Sequence, residues 1–251
     1  MGKKGGARHL KRMPAPVFWP IHRKEFRWVV KPKPGPHPIR QALPLLLVVR
    51  DILGFGKTRK EARRVIAEGQ VEVDGKVRRE EKFPVGLMDV IRLPSAKKIY
   101  RVIPTPEKGL TLHGVKAEEA AFKLCRIENK TTLKGGHIQL HLHDGRNLLL
   151  KVKDPRKSTE DTYTSSDVLK LKVPSQEIID HIKMGEGVSA LVTGGKNIGR
   201  WGTITKIEQG AGLHPEVVTI EDKAGNRFQA TLNYVFAIGV NKPAISMPEA
   251  D

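Results

Sequence analysis

Leu43, Leu46, Leu47 and Leu53 recur at helical spacing and predict a helix over 43–53, with Pro44 in its first turn, where proline is tolerated. Gly54-Phe55-Gly56 breaks it. Thr58-Arg59-Lys60-Glu61 then reads as a capping box, with Thr58 as N-cap and Glu61 reaching back three residues later. The second helix carries Ala62, Val65 and Ile66 on one face and ends at Gly69. Val71 and Val73 alternate as a strand, Asp74-Gly75 makes a tight hairpin turn, and Lys76 to Arg79 return; a further strand is expected over 89–93.

Beyond residue 106 the period falls to two. Phe122 and Leu124, Ile138, Leu140 and Leu142, Leu148 to Val152, and Val168 to Val173 predict strands, after a short helical turn at 117–120. Asp144-Gly145 turns one hairpin, and 154–166 reads as an exposed loop. Further on, Val188, Ala190 and Val192 alternate, a glycine-rich stretch runs over 194–202, and short apolar runs at 204–207, 217–220, 228–231 and 235–238 suggest a small barrel.

The first 40 residues fit neither period. Prolines at 14, 16, 20, 32, 34, 36 and 38 forbid a continuous helix and favour extended backbone. With few aliphatic residues, this arm is expected to be disordered alone and to gain order on a partner. Phe18, Trp19, Phe26 and Trp28 interleave with Arg23, Lys24 and Arg27, so the aromatics could stack on unpaired bases or dock on the next domain.

Charge decides the partner class. The net charge is +18, and residues 1–40 supply +10 of it, from eleven cations against Glu25 alone. Residues 41–105 add +6, 106–184 add +3, and 185–251 carry −1. Such a balance calls for a polyanion, nucleic acid or an acidic membrane surface. No apolar run approaches the roughly 18 residues of a spanning helix, and the basic N-terminus has no apolar stretch behind it, so an intracellular, cytoplasmic protein without a membrane partner is expected. Cys125, the single cysteine, excludes an intrachain disulfide and a cysteine-built zinc site.

Three chemical readings can be weighed on the residues. Gly56-Lys57-Thr58 mimics the end of a phosphate-binding loop, but Asp51 stands where such a loop needs glycine. His137, His141 and His143 fall on one strand face, yet no fourth ligand stands out, so a polar sheet face is preferred to zinc. Asp and Glu are scattered and Cys125 has no evident base beside it, so no catalytic site, cofactor or small-molecule substrate is expected.

Helix, basic turn, capped helix and short hairpin together resemble the alpha-L RNA-binding module, on LPLLLVVRDILGFGKTRKEARRVIAEGQVEVDGKVRR and VGLMDVI. That resemblance implies RNA contact by Lys57, Arg59, Lys60, Arg63, Arg64, Lys76, Arg78 and Arg79. The stretch Gly194 to Ile204 resembles the KOW motif of SH3-like barrels and implies contacts by Lys196, Asn197 and Arg200, with Gly195, Gly199 and Gly202 shaping the loop. In the arm, Lys3, Lys4, Arg8, Lys11, Arg12, Arg23, Lys24 and Arg27 are the candidate phosphate contacts. With HLKRMPAPVFWPI, FPVGLMDVI, AAFKLCRIENK, LHDGRN and NKPAISMP in order, the whole chain resembles the archaeal and eukaryotic family of small-subunit ribosomal proteins number four of the e type. The short tail after Pro248 suits an archaeal member.

This resemblance implies an α+β chain in four parts: a basic Pro-rich extension at 1–40, an alpha-L domain at 41–105, a β-rich centre at 106–184 and an SH3-like KOW barrel at 185–251. It implies a non-catalytic constituent of the small subunit, a monomer within the ribosome, bound to ribosomal RNA beside neighbouring ribosomal proteins. An RNA-modifying enzyme with an alpha-L appendage would need a further catalytic domain. A KOW-bearing transcription factor would not need the basic arm.

Overall fold

The computed structural model describes residues 7–106, 109–152, 162–210 and 215–248. From residue 7 the arm is folded onto the body, which corrects the expectation of a free, disordered extension. Its β1 (Leu10–Lys11) pairs antiparallel with β2 (Trp28–Val29). Ala15, Trp19 and Val30 are buried in one cluster with Leu43 to Val49 of the next segment. The Trp19 indole N–H donates to the Ala42 carbonyl at 2.9 Å. The arm does lack a core of its own; it shares its neighbour's through Ala15, Trp19 and Val30, the indole supplying the largest apolar area.

Pro44 decides where the first helix starts. A residue before proline is pushed into extended backbone, and β3 (Ala42–Pro44) accordingly forms a strand where a helix was expected from Leu43. The helix begins at α1 (Leu45–Leu47) and widens into a π-helical turn over Val48–Ile52. Leu45 to Val49 are all buried. In α2 (Arg59–Ala67) Thr58 caps the helix: Glu61 N–H donates to Thr58 Oγ1 at 3.3 Å, and the Glu61 carboxylate reaches back one residue beyond the cap, accepting from Lys57 N–H at 3.0 Å. Asp74 and Gly75, with φ of 51° and 68°, turn the chain between β4 (Glu72–Val73) and β5 (Lys76–Val77). Next come β6 (Pro84–Gly86), paired with β3, then β7 (Val90–Leu93), β8 (Lys98–Thr105) and β9 (Gly109–Gly114). The sheet order is β5-β4-β7-β8-β9. The sequence pattern does not announce β9, which pairs with β8 across the division expected at 105/106.

The centre is built on β10 (Phe122–Thr132), entered from a helical turn at Glu119–Ala121. It lies between β11 (Ile138–Leu142), which carries β12 (Asn147–Leu150), and β13 (Val168–Lys172), which carries β14 (Ile178–Ile182). Part of the loop expected at 154–166 lies outside the described residues. The last sheet has the order β18-β17-β16-β15-β19, from β15 (Val188–Val192), β16 (Trp201–Glu208), β17 (Val217–Glu221), β18 (Arg227–Thr231) and β19 (Val235–Val240). The described residues are thus mostly β with few helices. Met88, Ile103, Phe122 and Leu124 join the core of the last sheet, so the parts share apolar contacts.

Between these parts lies a buried charge cluster. The Lys123 ammonium, on β10, contacts Asp74 at 2.8 Å, Asp144 at 2.9 Å and also Asp89. Arg146 reaches Asp74 and Asp144. From the arm, the His37 ring meets both Asp89 oxygens at 3.1 Å. Burial opposes the charged forms of Lys123, Asp89, Asp144 and Arg146, yet opposite charges win. Asp89 is held well below the usual carboxylate range and Asp144 is lowered to about 2, while Lys123 is raised well above an ordinary lysine. Gly86 is required here, since a Cβ would lie 2.4 Å from the His37 ring.

Candidate RNA-binding surface

The strongest exposed cation group lies on α2. Lys57, Lys60, Arg63 and Arg64 are exposed around a helix whose opposite side, Ala62 and Ile66, is buried. Glu61, the acid within this group, is spent on the cap, and its pKa is lowered by the Thr58 and Lys57 hydrogen bonds. Arg64 also pairs with Glu68 at 2.8 Å, an exposed i,i+4 contact that costs little to exchange for a phosphate. Arg59 differs: its guanidinium holds Glu81 at 2.6 Å and fastens the helix start to the turn before β6.

The hairpin continues this surface. Lys76 and Arg79 are exposed, and Arg79 Nε would lie 3.3 Å from a Cβ at Gly69, which places Arg79 beside the C-terminal end of α2. Arg78 is half-buried, 4.4 Å above the Phe83 ring.

In the arm the expected cations divide. Arg8, Lys11, Lys24 and Arg27 are exposed. Arg12 is buried and donates to His22 O at 2.5 Å and to Glu25 Oε2 at 3.3 Å. Arg23 donates to the carbonyls of Met13, Ala15 and Pro16 at 2.8–3.1 Å. These two guanidiniums brace a segment whose prolines cannot supply backbone N–H donors. Lys3 and Lys4 lie outside the described residues. The aromatics divide as well: Trp19 docks on protein, whereas Phe26 and Trp28 are 62% and 51% exposed, with Arg12 and Arg27 over their rings.

In the C-terminal loop Lys196 and Arg200 are exposed, and Arg200 lies 5.6 Å from the Phe228 ring centroid. The Asn197 amide donates to Gln229 O at 3.0 Å, inside its own sheet. A Cβ at Gly199 would sit 2.5 Å from the backbone of Thr105 and Pro106, so this glycine serves a contact between parts of the chain.

The three strand histidines are occupied individually. His137 Nδ1 accepts from Val152 N–H at 3.2 Å, and His141 lies between Thr131 and Asn147 at 2.9 and 2.7 Å. His143 Nδ1 accepts from Arg126 N–H at 3.2 Å, which leaves the proton on Nε2, facing Leu87 O at 3.3 Å. Cys125, His143 and Asp144 do bring ligand atoms within 4.8 Å of one another. The donor set does not fit a cation. Lys123 already neutralises Asp144, and burial pushes the Cys125 thiol well above its ordinary value. Neither the charge cluster nor Arg40, which is exposed, is singled out by the sequence pattern.

The chain is 59% identical to small ribosomal subunit protein eS4 of Desulfurococcus amylolyticus over 249 residues, covering 99% of both chains. The chain belongs to ribosomal family S4e. The model of that family matches residues 96–178, an RS4NT domain matches 4–40 and an S4 domain matches 44–91. The S4e chain is also 48% identical to small ribosomal subunit protein eS4 of Methanocaldococcus jannaschii, covering 98% of this chain and 100% of that one. A solved structure, the 30S ribosomal protein S4e from Thermoplasma acidophilum, aligns with a TM-score of 0.65 at 36% identity, over 79% of this chain and 95% of that chain. The RS4NT match coincides with the basic arm, and the S4 match encloses α1, α2 and the β4–β5 hairpin. The alpha-L reading of that segment is thereby established for this S4e chain.

Proposed function

We propose that this chain is a structural constituent of the small ribosomal subunit that binds ribosomal RNA, in a non-catalytic role, as a monomer in the cytoplasmic ribosome beside other ribosomal proteins. The observation that carries the proposal is the exposed cation group on α2, inside an S4 domain, on a chain related at full length to small-subunit proteins. Lys and Arg meeting phosphates release counterions, and A-form RNA offers shape and backbone more readily than base edges. Lys57, Lys60, Arg63, Arg64, Lys76 and Arg79 form the S4-domain contact, and Arg8, Lys11, Lys24 and Arg27 form the arm contact. Arg12, Arg23 and Arg59 position these segments. The last sheet is read as a KOW-type SH3-like barrel, supported by its five antiparallel strands and by the glycine-rich turn between β15 and β16. Lys196 and Arg200 extend the contact there.

Tagged protein expressed in a related archaeal host should sediment with small subunits and be absent from the free pool at low salt. Sedimentation only as free protein would contradict the proposal.

A further inference from the structure

A cleft of about 880 Å³ lies where four segments of the chain meet. Phe18 and Arg40 of the arm, Leu110 on β9, His143, and Tyr234 and Phe236 of the last sheet border it. Its volume is in the roughly 300–1,000 Å³ range of small-ligand sites. It has no part in the α2 contact.

Tyr234 is its most distinctive wall. The residue is 47% exposed although its backbone is fixed: its carbonyl accepts from Thr193 N–H at 2.8 Å and from Thr193 Oγ1 at 3.0 Å. The ring lies along the Gly194-Gly195 backbone, and a Cβ at Gly194 would sit 2.7 Å from Tyr234 Cδ1. The paired glycines therefore seat the ring at close range. An aromatic ring held by backbone on one side and open on the other is a stacking platform that loses little freedom when used. Tyr234 also lines a second hollow of about 230 Å³, bordered by Lys196 and Asn197.

The charge beside the ring selects an anion. Arg126, also in the cleft wall, is committed to Glu128 and to the carbonyls of Asn233 and Val235. Arg40 is exposed and makes no ion pair among the described residues. Tyr234 thus has Arg40 bordering one hollow and Lys196 bordering the other. A planar base with a phosphate on either side matches that layout, and an unpaired base enters without the cost of unpairing and unstacking that a paired one meets. We propose that this cleft takes up one unpaired ribonucleotide of the bound RNA, its base on Tyr234 and a flanking phosphate on Arg40. The inference rests on the RNA-binding reading above and adds a site which that reading does not assign.

The test uses the full chain and two RNA hairpins, identical except that one carries a single bulged nucleotide. Wild type should prefer the bulged hairpin. Tyr234→Ala should weaken that complex by about 5- to 150-fold, the range for loss of one stacked base, and leave the paired hairpin unchanged. Tyr234→Phe should keep the preference, and Arg40→Gln should reduce it. Because the alanine variant removes a wall of the cleft, a second measurement uses wild type alone: 4-thiouridine at the bulge should crosslink to the peptide containing Tyr234. Equal binding of both hairpins by wild type, or crosslinks only elsewhere, would overturn the cleft while leaving the α2 contact standing. Binding of an acidic peptide in place of either RNA would overturn it too. Binding of neither RNA would overturn the RNA reading itself, and the cleft with it.

Discussion

The Lys123 ammonium sits 2.8 Å from the Asp74 carboxylate, joining the start of β10 to the turn between β4 and β5. Lys123 is 1% exposed and also neutralises Asp89 and Asp144, so its removal would strand buried carboxylates. Breaking a buried pair from one side costs about 3–5 kcal/mol. Lys123→Met should lower the free energy of unfolding by roughly that amount, read by urea denaturation at neutral pH. A loss below about 1 kcal/mol, the scale of an exposed pair, would show that the cluster does not hold the parts together.

Acid should act on this junction before its carboxylates titrate. Burial, reinforced by Lys123, pushes the His143 ring down to about 3. The unfolded chain protonates this histidine below about 6.5 while the folded chain does not, so folding loses stability as pH falls from there towards 3. Asp144 and Asp89 are shifted in the same direction: their contribution is present above about 4 and is lost at lower pH, for Asp144 as pH falls towards about 2. Lys123, raised, contributes fully below about 10.5, and that contribution is lost as pH rises from there through its folded value. Between pH 7 and pH 5 wild type should lose on the order of 1–2 kcal/mol through His143. His143→Gln, which can still accept from Arg126 N–H, should flatten that interval in paired urea titrations. An unaltered pH dependence in the variant would assign the loss elsewhere.

The arm should behave as protein structure as well as an RNA contact. Trp19 is 3% exposed with its indole hydrogen-bonded, and truncating such a residue costs about 3–5 kcal/mol. Trp19→Ala should therefore lower the melting temperature sharply, and so should deletion of residues 1–40. Trp28→Ala and Phe26→Ala, at exposed positions, should leave it nearly unchanged. Melting curves that do not separate Trp19 from the other two would mean that the arm is not docked.

The sequence shows local devices clearly and long-range partnerships poorly. Thr58, Glu61 and Gly69 announce α2 because a cap needs only neighbours three residues away. Asp74-Gly75 announces its turn for the same reason. Pro44 is readable too, but its extending effect on Leu43 outweighs the helical spacing of the leucines. Trp19 cannot be placed from sequence, since its partner is the carbonyl of Ala42, 23 residues on. Lys123 carries a signal, a lysine between Phe122 and Leu124 on an apolar strand. Its three acids, however, come from separate segments that only the tertiary fold brings together. The same holds for Arg12 and Arg23, whose charge suggests RNA but whose guanidiniums serve nearby carbonyls.

The most direct test of RNA binding by the α2 face is a salt titration of affinity for one ribosomal RNA fragment. It would compare the full chain with a variant carrying Gln at positions 57, 60, 63 and 64. Each phosphate left without its cation should reduce the slope of log affinity against log salt by about 0.7–0.9, so the variant's slope should be shallower by about 3. Its melting temperature should not fall, because all four side chains are exposed. An unchanged slope, with the variant folded, would contradict the assignment of this face to RNA.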